Sequence, residues 1–153
     1  MLALPAGLGH NARNAQPIPI QPKIEPMQAY LLVALGGAIG SMGRYAVSIV
    51  AGRMLGISFP YGTLTVNVLG SLAMGLFIGF LARTTPHLQN EMRLFVAVGL
   101  FGGFTTFSSF SLDTITLVER GNVGAAMLYV FVSLLVSFLA LWGGLVVMRL
   151  GAM

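Results

Sequence analysis

The stretch Gly99-Leu100-Phe101-Gly102-Gly103-Phe104-Thr105-Thr106-Phe107-Ser108-Ser109-Phe110-Ser111 is the least ordinary part of the chain. Two adjacent glycines precede a β-branched pair inside a long apolar run. Each glycine costs about 1 kcal/mol relative to alanine in a helix, and paired threonines add little helical preference. The run therefore admits a helix break between Gly102 and Thr106. A break within hydrocarbon strands N–H and C=O groups that only protein or a water-filled cavity can satisfy. Freed carbonyls and half-helix ends at such breaks bind ions. The alternative is a continuous helix whose Ser and Thr hydroxyls bond back to carbonyls one turn earlier.

Phe101, Phe104, Phe107 and Phe110 recur every three residues. Read as packing, they need no chemistry. Read electrostatically, each ring has a negative face and a positive edge, and inward-turned edges can hold an anion without a full charge. Conduction requires such weak, multiple sites. Asn67 is the one side-chain amide of the second apolar run, and its NH₂ offers two donors, either to an ion or to a neighbouring helix. Tyr129, Ser133 and Ser137 stand at i, i+4 and i+8, which aligns three hydroxyls on one helical face. They either line a wet path or bond back to their own helix. Arg44 and Asp113 are ionisable residues within apolar runs, which makes them functional candidates by default. Arg44 can also snorkel to the interface, and Asp113 can pair with an arginine or stand in a polar side track.

Other chemistries fail on residue count. Cysteine is absent, so there is no thiol nucleophile, disulfide framework or thiolate metal site. His10 and His87 stand alone, too few for a zinc constellation.

The elements that must position these residues follow from composition. Of the 153 residues, 56% are hydrophobic and only 8% charged, against about 25% charged in soluble domains. That balance excludes a soluble globular enzyme, a disordered chain and a nucleic-acid binder, and leaves an integral membrane protein. The net charge of +4 is scattered, with no basic block. A membrane helix needs about 20 apolar residues, and four such runs are present. They cover about Gln28 to Ala51, Tyr61 to Leu81, Arg93 to Val118 and Gly121 to Met148. The apolar residues come in blocks, not in period-2 alternation, so the fold class is all-α with four spans in residues 27–150. The links are short and carry Pro60, Thr85-Pro86 and Gly121-Asn122, which makes sequential helices antiparallel neighbours. Residues 1–26 hold five prolines and no apolar h-region, so they read as a flexible, extended tail and not as a signal peptide.

Arg83, Arg93 and Arg149 fall on one side of the membrane, with Arg13 and Lys23 of the tail, while Arg53 and Arg120 fall on the other. Without the tail the bias is weak, the condition for insertion both ways round. Gly36, Gly40 and Gly43, and Ser71, Gly75 and Gly79, form small-residue ladders for close helix contact. Four helices enclose little interior, so a pathway calls for a second copy.

At these residues the chain resembles the Fluc (CrcB-type) family of fluoride channels. The matches are Gly36-Gly37-Ala38-Ile39-Gly40 with Gly43-Arg44-Tyr45, Gly62-Thr63-Leu64 with Asn67 and Gly70, and Gly102-Gly103-Phe104-Thr105-Thr106-Phe107-Ser108-Ser109-Phe110-Ser111. Order and spacing agree from about Gln28 to Arg149. The family pattern usually has Thr at Ser109 and more often Glu at Asp113. The resemblance implies a passive fluoride channel of the bacterial inner membrane, built as an antiparallel, dual-topology homodimer with two pores. It implies a central sodium ion on the backbone carbonyls of Gly102 and Thr105 of both subunits. It assigns Phe107, Phe110 and Asn67 to the pore. Tyr129, Ser133 and Ser137 become a hydroxyl track with Ser108 and Ser109 near it, and Arg44 lies by the vestibule.

A small dual-topology, proton-coupled multidrug exporter is the competing reading. It needs a carboxylate near the midplane, which the first span lacks, and Asp113 lies near an end of the third. A non-transporting membrane scaffold would explain the glycine ladders but not aligned hydroxyls.

Overall fold

The computed structural model describes residues 24–83 and 89–150. Most of the proline-rich tail and the Thr85-Pro86 turn signal lie outside the described residues. Every regular element among the described residues is helical.

Helix α1 (Pro26–Leu55) starts on a proline, whose fixed φ suits the first turn and whose missing N–H costs nothing there. It stops at Gly56, where φ is +83° and the N–H closes on the Gly52 carbonyl. Pro60 then precedes α2 (Tyr61–Leu81). The third span begins as α3 (Gln89–Met92), winds with π geometry through Arg93–Phe101 and ends on the turn Gly102–Phe104. The Gly102 N–H accordingly reaches the Ala97 carbonyl, five residues back. Thr105 and Thr106 are extended, and α4 (Phe107–Glu119) follows. At its end Gly121 has φ +77°, its N–H meets the Val118 carbonyl, and the Asn122 N–H meets the Leu117 carbonyl. This pair of bonds closes the orphan carbonyls of the last turn before α5 (Val123–Leu150).

The 30 residues of α1 make a helix of about 45 Å, well beyond the ~30 Å hydrocarbon core, so its first and last turns reach the interfaces. α2, with 21 residues, has just the length of the core. All four spans are apolar enough to cross a membrane.

The tightest pairs are not the sequential ones. α1 packs on the π-wound segment, and α2 packs on α5. Short links led us to expect sequential neighbours, but small residues decide. A Cβ on Gly36 would run into the Phe95 carbonyl, and one on Gly40 into the Leu100 carbonyl. A Cβ on Gly75 would strike the Leu141 carbonyl, and one on Gly144 would stand 2.7 Å from the Leu72 carbonyl. In lipid, where apolar burial gives no driving force between helices, this backbone approach is what associates them. The buried apolar core is correspondingly small: Val66, Phe110, Leu117, Ala126 and Tyr129 are among its members. Leu35, Phe131, Phe138 and Trp142 face outward, as lipid solvation permits.

Candidate functional site

The site is built around two extended residues. Thr105 has φ −82° and ψ 160°, and Thr106 has φ −156° and ψ 120°. The Thr105 N–H and hydroxyl both donate to the Phe101 carbonyl, at 2.9 and 2.8 Å. Thr106 is held from α2. Asn67 Nδ2 donates to the Thr106 carbonyl at 3.2 Å, and the Thr106 N–H donates to Asn67 Oδ1 at 2.8 Å. The two bonds fix the orientation of the amide, since only oxygen can accept and only nitrogen can donate. Thr106 Oγ1 caps α4 by accepting the Ser109 N–H at 3.1 Å. It also donates to Ser109 Oγ and lies 3.2 Å from Ser108 Oγ. Ser108 and Ser109 thus belong to the cap.

These bonds redirect donors. A continuous helix would give the Thr106 N–H to the Gly102 carbonyl and the Ser109 N–H to the Thr105 carbonyl. Here the first goes to Asn67 and the second to Thr106 Oγ1.

Beside Thr106 lies a cleft of about 300 Å³ between α2, α4 and α5. Asn67, Thr106, Phe107, Phe110, Ser133 and Ser137 all line it. Ser133 Oγ and Ser137 Oγ are buried and have no hydrogen-bond partner. An unpaired buried hydroxyl is costly, and both of these belong to residues that line the one cleft. Phe110 is buried against Tyr129, with centroids 5.3 Å apart. Phe107 stacks at a tilt on Phe110, with centroids 5.6 Å apart, yet is 74% exposed on the protomer surface. The residues lining this cleft are polar or apolar but uncharged.

The regular phenylalanine spacing does not give one stripe. Phe101 meets Phe77 edge-on, and Phe104 lies against Gly43 and Gly70. The π winding before Gly102 and the extended pair after it place the four rings in different surroundings.

A second cleft, of about 240 Å³, opens near the α1–α2 link and contains Ser48, Thr63, Asp113 and Arg120. Asp113 Oδ2 accepts from Thr63 Oγ1 at 2.6 Å and from the Tyr129 hydroxyl at 3.4 Å. Of the three hydroxyl residues in the row, Ser133 and Ser137 line the first cleft, while the Tyr129 hydroxyl donates to Asp113. The Tyr129 ring packs between Phe59, which lines the second cleft, and Phe110, which lines the first. Arg44 lines neither cleft, although Ser48, one turn on, lines the second and donates to the Arg44 carbonyl. Among the described residues no cluster of His, Cys, Asp or Glu has a metal-binding arrangement.

Two contributors were not foreseen from sequence. Thr63 stands four residues before Asn67, on the same face of α2, and that spacing is a signal for it. Thr106 stands three residues before Ser109, the N-cap spacing, at the edge of the break that the paired glycines allow.

Comparison with known proteins places residues 31–145 within the family model described as CrcB-like protein, Camphor Resistance (CrcB). The chain is 54% identical over 119 residues to a protein of Chelativorans sp. (strain BNC1) named Fluoride-specific ion channel FluC, covering 78% of this chain and 94% of that protein. Proteins of the same name from Agrobacterium fabrum (strain C58 / ATCC 33970) and Rhodopseudomonas palustris (strain BisB5) are each 50% identical, over 77% and 78% of this chain and 94% and 96% of theirs.

Proposed function

The chain belongs to the CrcB-like family, and on that premise we propose that it is a passive, fluoride-selective channel through which cells release fluoride. It is a multi-pass membrane protein and not an enzyme. The observation that carries the reading is the uncharged cleft that gathers the Asn67 amide, two unpartnered serine hydroxyls and two phenylalanine rings. Fluoride is small and strongly hydrated, so a path for it must replace water by several donors in turn. Asn67 keeps one amide N–H beyond the bond to Thr106, and each serine adds one O–H. Ring edges of Phe107 and Phe110 add weak positive potential, and the absence of a cation among the lining residues keeps the ion releasable. In this proposal the larger chloride ion is excluded by its size. Transport in this reading is downhill, and the cleft lining offers no side chain of the kind a proton-coupled cycle would titrate. The same fact disfavours a proton-coupled exporter: Asp113 lies in the other cleft, engaged by Thr63 and Tyr129.

The functional unit in this reading is an antiparallel homodimer in the bacterial inner membrane. Phe107 lines the cleft yet stands mostly exposed on the protomer, and Gly102 is exposed as well, which suits a face that a second copy completes. The near balance of Arg83, Arg93 and Arg149 against Arg53 and Arg120 suits insertion in both directions. A sodium ion at the dimer centre belongs to the same proposal. The Gly102 and Thr105 carbonyls have lost their helical donors to Asn67 Oδ1 and Thr106 Oγ1, and neutral oxygens suit a hard cation. When bound, sodium supplies a fixed positive charge between the two pathways. Arg44 at a vestibule and Asp113 in a polar side track complete the assignment.

Vesicles reconstituted with the purified protein and loaded with fluoride are expected to empty quickly, while chloride-loaded vesicles retain their anion. Equal chloride loss, or no fluoride loss, would overturn the reading.

A further inference from the structure

Asn67 meets both polar groups of one residue's backbone, the N–H and the C=O of Thr106. That pairing requires the two groups to point the same way. In extended backbone they do, as in a residue that exchanges both bonds across an antiparallel sheet. In an α-helix they point to opposite ends of the axis, and one planar amide cannot reach both. Asn67 therefore fits Thr106 at φ −156° and ψ 120°, and does not fit it as a helical residue.

Two carbonyls depend on that selection. With Thr106 extended, its N–H is withheld from Gly102, and its hydroxyl sits where it takes the Ser109 N–H away from Thr105. Without Asn67, both donors can return to those carbonyls, and α4 can join the preceding turn as one helix. We propose that Asn67 is a positioning residue for the cation site. By holding Thr106 extended from α2, it keeps the Gly102 and Thr105 carbonyls open, and so sets the affinity for sodium. The inference rests on the sodium reading above. It also gives one side chain two duties, since Asn67 is among the residues lining the anion cleft.

The test titrates sodium against N-methyl-D-glucamine and follows the thermal unfolding midpoint of the full-length protein in detergent. An ion that binds only the folded form raises that midpoint by mass action. Wild type is expected to be stabilised by sodium, and Asn67→Leu to need about tenfold more sodium, or above, for half the effect. Ser137→Ala removes a donor from the anion cleft without touching Thr106, so it is expected to slow fluoride flux and keep the wild-type sodium midpoint. If Asn67→Leu does not fold, Asn67→Asp serves. It retains an acceptor for the Thr106 N–H but sets a second oxygen against the Thr106 carbonyl, and the sodium midpoint is expected to shift the same way. A sodium response in wild type that is unchanged in the Asn67 variant overturns this inference and leaves the sodium reading standing. A wild type indifferent to sodium overturns the sodium reading and this inference with it.

Discussion

Ser133 shows how a functional side chain differs from a structural one. Its hydroxyl is buried and unpartnered, so the folded protomer gains nothing from it. Ser133→Ala is therefore expected to leave the unfolding midpoint unchanged or slightly raised. A hydrogen bond to a charged group contributes about 1.5–3 kcal/mol, so fluoride efflux is expected to fall about tenfold or more. Paired thermal melts and vesicle efflux check both halves. Phe107→Ile keeps apolarity and removes the ring edge. A loss of about 1 kcal/mol of edge attraction slows flux several-fold while the protein still assembles. Phe107→Met is the harder comparison, because a polarizable chain fills similar space. Wild-type efflux in both variants would return Phe107 to packing. Asn67, Ser133 and Ser137 were legible in the sequence because polar residues are out of place in apolar runs. Their partners were not. Nothing in one dimension says that Asn67 turns to the Thr106 backbone, 39 residues away, or that Tyr129 leaves its serine row for Asp113.

Helices are where the sequence was most readable and still incomplete. Charges and prolines bound the four spans to within a few residues, and Tyr61–Leu81 fell where the apolar run did. Two features escaped. The π winding of Arg93–Phe101 leaves no periodic trace, because the segment is apolar nearly all round. The preference of α1 for the third span, and of α2 for α5, is set by which glycines face each other. Gly75 and Gly143 separate the two roles a helical glycine can have. Gly75→Ala would press a methyl group on the Leu141 carbonyl and is expected to cost about 1–3 kcal/mol as the helices move apart. At Gly143 a new Cβ meets nothing within 4 Å, and Gly143→Ala is expected to stabilise by up to about 1 kcal/mol through helix propensity alone. Unfolding midpoints of the two variants, measured side by side, check the contrast.

On the scale of the whole molecule, the absence of native cysteine makes orientation directly measurable. Asn122 lies in the exposed α4–α5 link and is held through its backbone, so Asn122→Cys keeps the turn. In intact cells, a membrane-impermeant thiol reagent is expected to label only part of the population, and permeabilisation to expose the rest. Complete labelling, or none, before permeabilisation would contradict insertion in both directions. The position of Phe107 has one more consequence, in genetics. A ring that lines the cleft but stands on the outside of its own protomer is shared property in the proposed dimer. A cell expressing one normal and one Phe107→Ile copy of the gene equally would, by random pairing, build about half mixed and about a quarter fully altered assemblies, each with an altered ring beside a passage. Only pairs drawn wholly from the normal copy would escape. The defect would then act dominantly, and its severity would follow the ratio in which the two copies are expressed.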